Sequence, residues 1–94
     1  MSETAGFIIQ EILAERKRQN EQFGVQNHDP ARWSLILNEE VGEANKEVCE
    51  YEFATRTADE QIRLQNLRTE LIQVAAVALA FIESLDRNEL SSHS

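Results

Sequence analysis

A chain of 94 residues makes one small domain, which buries only about 60–65% of the surface its unfolded form exposes, so a core completed by a second copy is a natural expectation. The formal charge of −8 argues against nucleic acid as a partner, since a binder of phosphate backbones needs a basic face; the nearest candidate, Arg16-Lys17-Arg18, is short and flanked by Glu15 and Glu21. Three glycines and one proline disfavour a turn-rich β fold and favour an all-α chain.

The N-terminal stretch MSETAGFIIQE lacks the basic region and long apolar core of a secretory signal. From Ala5 to about Gln22 the apolar residues Ile8, Ile9, Ile12 and Leu13 give way to ERKRQNEQ, which predicts an amphipathic helix with a solvated far end, closed by Gly24. Phe23 reads as a hydrophobic anchor for the loop FGVQNHDP. Asp29-Pro30 has the form of an N-cap followed by proline at the first helical position, so a second helix runs from about Pro30 to Glu52. Its apolar stripe is Trp33, Leu37, Val41, Ala44 and Val48. Cys49 has no partner in the chain for a disulfide, as in a reducing compartment, and reads as a small half-buried apolar residue.

Thr57-x-x-Glu60 has the form of a capping box and opens a third helix. There Leu67, Leu71, Val74, Ala78, Phe81 and Leu85 alternate by three and four, the seam of a helical bundle. Ile72, Ala75, Ala76, Leu79 and Ile82 add a second apolar set. A helix apolar nearly all round needs cover on several sides, which predicts a homodimer or homotetramer. The run Leu71–Ile82 is too short to span a bilayer, so a soluble, cytoplasmic protein with no membrane association is expected. Residues 88–94 read as a frayed tail of a single domain spanning 1–94.

The second helix carries Glu39, Glu40, Glu43 and Glu47 within about two turns, although like charges at these spacings cost about 0.2–0.5 kcal/mol per pair. Glu40, Glu43 and Glu47 form one stripe, and Glu40 borders the apolar face. Glu70 sits where LRTELIQVAA turns from polar to apolar. An antiparallel pairing of the two helices brings Glu40, Glu43 and Glu70 together, and carboxylates that close raise one another's pKa unless a cation joins them. Hard Mg²⁺ prefers such oxygen ligands. The plain alternative is a solvated acidic surface. A lone cysteine, no Glu-x-x-His pair and two histidines outside the helices disfavour zinc, haem and di-iron.

Glu39-Glu40-x-x-Glu43 followed by Glu70-x-x-Gln73 resembles the EExxE…ExxD signature of the MazG-like, all-α nucleoside triphosphate pyrophosphohydrolases. The flanking text ERKRQNEQFGVQNHDPARW and LRTELIQVAAVALAFIESLDR is similar to that of small single-domain members, and the likeness covers roughly residues 8–87. The resemblance implies hydrolysis of a (d)NTP substrate to the monophosphate and pyrophosphate, a house-cleaning role in the nucleotide pool. It also implies a Mg²⁺ cofactor, for which Mn²⁺ can substitute, and an oligomer of helical bundles. Matched by position, Glu40, Glu43 and Glu70 are the metal carboxylates and Glu39 is the extra acid that orients or deprotonates the attacking water. Gln73 stands where the family has its final Asp, which removes one negative charge from the metal set.

Around this motif Lys46 either reaches a phosphate or pairs with Glu43 or Glu50, and Arg68 is a weaker phosphate candidate. Asn27 and His28, with Gln26, are placed to read a base edge, His28 alternatively serving the loop; Trp33 either packs the core or stacks on a base. The rival reading is a non-catalytic helical oligomerisation or interaction module, with an acidic surface or a degenerate nucleotide-binding site.

Overall fold

The computed structural model describes residues 2–90, which form three α-helices: α1 (Glu3–Phe23), α2 (Pro30–Glu52) and α3 (Thr57–Asn88). Two of the three starts are capped by a side chain. Ser2 Oγ accepts from Ala5 N at 3.2 Å, and the Asp29 carboxylate accepts from Arg32 N at 2.8 Å with Pro30 in the first turn, as the sequence predicts. Gly24 ends α1 at φ 73°, a left-handed conformation that costs glycine little, and its N–H bonds Asn20 O at 2.9 Å. The expected capping box at Thr57 is not formed. Arg56 is the N-cap residue and makes no side-chain cap bond, while Thr57 takes the first helical position; Arg56 instead pairs with Asp59 at 3.3 Å.

The register of α2 on α3 is antiparallel. Trp33 stacks on Phe81, the Glu43 carboxyl meets Glu70, and Glu50 pairs with Arg63 at 2.7 Å, so α3 numbers fall as α2 numbers rise. The helix α1 packs on α3 alone and runs parallel to it, held by Arg16–Glu83 (2.6 Å) and Arg68–Glu11.

The buried apolar residues are Trp33, Ala44, Ala76, Val77 and Ala80, joined by Ser84; Ile36, Leu37 and Phe81 pack against the Trp33 cluster. Of the expected α3 seam, Leu67, Val74, Ala78, Phe81 and Leu85 are partly buried and Leu71 is exposed. Leu71 and Ile82 are half exposed, and the face that meets both other helices is small: Ala76, Val77, Ala80 and Ser84. Small side chains let neighbouring helices approach α3 closely, while of the larger ones Phe81 packs on Trp33 and Leu71 and Ile82 stay half exposed. The expected α2 stripe holds at Trp33 and Ala44, while Val41 and Val48 lie at its exposed edge; Cys49 is exposed rather than half-buried. No residue of α1 is buried, and Phe7 remains 68% exposed.

The radius of gyration is 15.7 Å, against roughly 12 Å for a compact domain of this length. Among the described residues no helix is long and apolar enough to cross a membrane. The tail expected from residue 88 begins as α3 ends at Asn88, and residues 91–94 lie outside the described residues.

Candidate metal and ligand site

The antiparallel register decides what the acidic stripe meets. Glu40 and Glu43, one turn apart on α2, face Glu70 on α3, and one carboxylate oxygen from each lies within 4.8 Å of the other two. None of the three is in an ion pair with Lys or Arg among the described residues. Partial burial, foremost, and the charges of Glu43, Glu39 and Glu15 push the Glu40 carboxyl above its usual range. Glu70 is also raised, first by burial, then by its hydrogen bond to Glu43 and by the charges of Glu43, Glu40 and Glu47.

Gln73, one turn beyond Glu70, belongs to the same cluster. With its amide nitrogen turned inward it donates to Glu40 Oε2 at 3.1 Å and to Glu70 Oε2 at 3.2 Å. A neutral side chain thus bridges carboxylates from two helices. Glu39 is exposed and stands outside the three-carboxylate group, although its charge bears on Glu40.

From Glu40 and Gln73 a cavity of about 360 Å³ extends toward the loop after α1. Its apolar wall is Trp33, Ile36, Val77 and Ala80, and its polar wall includes Gln19, Asn20, Gln26 and His28. The volume lies in the range typical of small-molecule sites. Trp33 is 4% exposed, parallel to Phe81 with ring centroids 5.9 Å apart, and His28 packs edge-on to it at 5.0 Å. Trp33 is therefore a core residue that also lines the cavity.

The other sequence candidates are placed differently. Asn27 Oδ1 accepts from Arg87 Nη2 and Asn88 Nδ2, both at 2.9 Å, so its side chain ties the loop to the end of α3 instead of lining the cavity. Arg68 is drawn to Glu11 of α1, away from the cavity. Lys46 is exposed, lines no wall of the cavity and pairs with neither Glu43 nor Glu50 among the described residues.

Sequence reasoning missed the contribution of α1. Arg16, Gln19, Asn20 and Phe23 all line the cavity, so the far end of α1 is not simply solvated. Their spacing of three, one and three puts them on one helical face, a signal that was present but polar. Arg16 reaches Glu83 and Asn20, and Arg18 is tied to Glu15 at 2.6 Å, which holds the Glu15 carboxyl below its usual range.

No family model, curated protein or solved structure matches this chain.

Proposed function

We propose that this protein is a divalent-cation-dependent nucleoside triphosphate pyrophosphohydrolase, of the MazG-like kind that its Glu39-Glu40-x-x-Glu43…Glu70-x-x-Gln73 pattern resembles. The observation that carries the reading is the triad of Glu40, Glu43 and Glu70, three carboxylates from two helices drawn together with no Lys or Arg paired to them among the described residues, of which Glu40 also lines a cavity of about 360 Å³. Their donor set is all oxygen, which fits Mg²⁺ or Mn²⁺ and does not fit a soft metal.

Glu40, Glu43 and Glu70 would hold the cation, with Gln73 contributing its amide oxygen or keeping the Glu40 and Glu70 carboxylates in place. A bound Mg²⁺ supplies positive charge that lets a polyanionic substrate approach a protein of net charge −8 and offsets charge developing at the reacting phosphorus. Glu39, beside the triad, takes a proton from the attacking water. The base and sugar occupy the cavity, where Trp33 and Ile36 give an apolar wall and Gln26 and His28 polar contacts.

The active unit is proposed to be a homo-oligomer. The accessible surface is 6815 Å², against about 5,500 Å² for a monomer of 10.8 kDa, and Ile62, Leu71 and Ile82 leave much of α3 uncovered.

The test is pyrophosphate release from eight ribo- and deoxynucleoside triphosphates with Mg²⁺, beside Glu40→Gln. Release with the monophosphate as co-product, lost in the variant, is the expected result. Silence across the panel, with Mn²⁺ also tried and the protein folded, would count against the reading.

A further inference from the structure

The indole Nε1 of Trp33 is buried and has no hydrogen-bond partner among the described residues. It is a donor with nothing else to offer, and a buried donor left unpaired costs about 1–3 kcal/mol. Most buried polar groups in folded proteins are paired, so the exception asks for a cause. Packing alone does not supply one, because a phenyl ring would fill much of the same space without the penalty. The position does: Trp33 lies in the first turns of α2, is held flat by Phe81, and walls the cavity that leads to Glu40 and Gln73.

We propose that Trp33 Nε1–H is a specificity-determining donor, which hydrogen-bonds a keto oxygen or an unprotonated ring nitrogen of the substrate's base. This rests on the pyrophosphohydrolase reading and deepens it. Nε1 is closed to water as the chain stands, so an acceptor reaches it only when a neighbouring side chain shifts. The shift is assigned to His28, which packs edge-on to the indole and whose side-chain bond among the described residues is to Gln26, two residues away in the same loop. The donor's unmet bond then becomes part of the selectivity. A base presenting an acceptor there removes the penalty, and a base presenting a donor or a C–H does not.

Trp33 is the sole tryptophan, so a ¹⁵N-labelled chain shows one indole N–H resonance. The experiment titrates it with Mg²⁺ and the α,β-imido analogues of the four deoxynucleoside triphosphates. For at least one base the indole proton moves downfield, as a new hydrogen bond requires, while Mg²⁺ alone and Mg²⁺ with inorganic pyrophosphate leave it in place. Trp33→Phe lowers the affinity for that analogue about tenfold, with the ligand-free melting temperature close to the parent's. If the backbone amides of Gln26 and His28 respond but the indole proton stays or moves upfield, as stacking alone would cause, the donor role is overturned and the pyrophosphohydrolase reading stands. If nothing responds to any of the four analogues, both fall. The wild-type titration decides the matter even if Trp33→Phe does not fold.

Discussion

Two acidic stretches lie about one turn apart on α2 and meet opposite fates on α3. Glu47 and Glu50 face Arg63, at 3.5 and 2.7 Å, and the guanidinium offsets one of their two charges. Glu40 and Glu43 face Glu70, and no Lys or Arg among the described residues joins them. The same helix pair thus gives one carboxylate cluster a basic partner and leaves the other with none among the described residues. Had the whole acidic stripe been plain surface, there would be no reason for α3 to present an arginine at one turn and a glutamate two turns on. Burial, foremost, and the neighbouring carboxylate charges of that second arrangement push the Glu40 and Glu70 carboxyls up.

The contrast is broken most severely by removing a carboxylate from the unpaired cluster. Glu70→Gln is expected to lower pyrophosphate release by two orders of magnitude or more, roughly 3 kcal/mol of transition-state stabilisation, measured as kcat/KM in saturating Mg²⁺. Glu50→Gln, in the paired cluster, is expected to leave it within about twofold.

Cation linkage should follow the same line. At a Mg²⁺ concentration one hundred times its Kd the folded state gains about 2.7 kcal/mol, and the melting temperature rises accordingly. Glu70→Gln should abolish most of that rise and Arg63→Gln should not, as read by thermal denaturation with Mg²⁺ against matched ionic strength. An equal, salt-like response in all three proteins would erase the distinction between the clusters.

Gln73→Asp sharpens the comparison from the other side. It replaces the donor between Glu40 and Glu70 with a fourth carboxylate, so the metal-free protein should lose about 1–3 kcal/mol in denaturant unfolding. The Mg²⁺-induced rise should grow beyond the parent's.

The pH dependence has a definite sign. Glu40 and Glu70 have folded-state pKa values above the unfolded value of 4.5, so the folded protein holds their protons more tightly. Their contribution to stability is fully present below 4.5 and is lost as pH rises through the raised values. Metal-free protein should therefore lose this contribution on going from pH 4 to neutrality, and Glu40→Gln should flatten the trend.

The smallest effect belongs to the paired side. Arg63→Gln leaves Glu47 and Glu50 without their cation, but these groups are partly solvated and screened, so the loss should be only about 0.2–1 kcal/mol.

Local chemistry in the sequence determined the three helices and nearly all of their ends. Asp29-Pro30 and Gly24 act through bonds to residues within one turn, which no distant contact needs to ratify. The Thr57 box failed because a cap needs the right backbone conformation as well as the right letters, and Arg56 holds it. The acidic pattern of α2 with Glu70 was equally legible, since carboxylates at i and i+3 share a helical face whatever surrounds them. Tertiary structure alone decided which carboxylates stay unpaired, because that depends on the register of α3 against α2: one register sets Arg63 on Glu50 and Glu70 on Glu43. It also decided that α3 buries Ala76, Val77, Ala80 and Ser84 rather than its larger apolar residues, because burial follows how closely neighbouring backbones approach and not side-chain hydrophobicity alone. The cavity, with α1 in its polar wall and Trp33 in its apolar wall, exists only where the consecutive α1, loop and α2 fold against the distant α3.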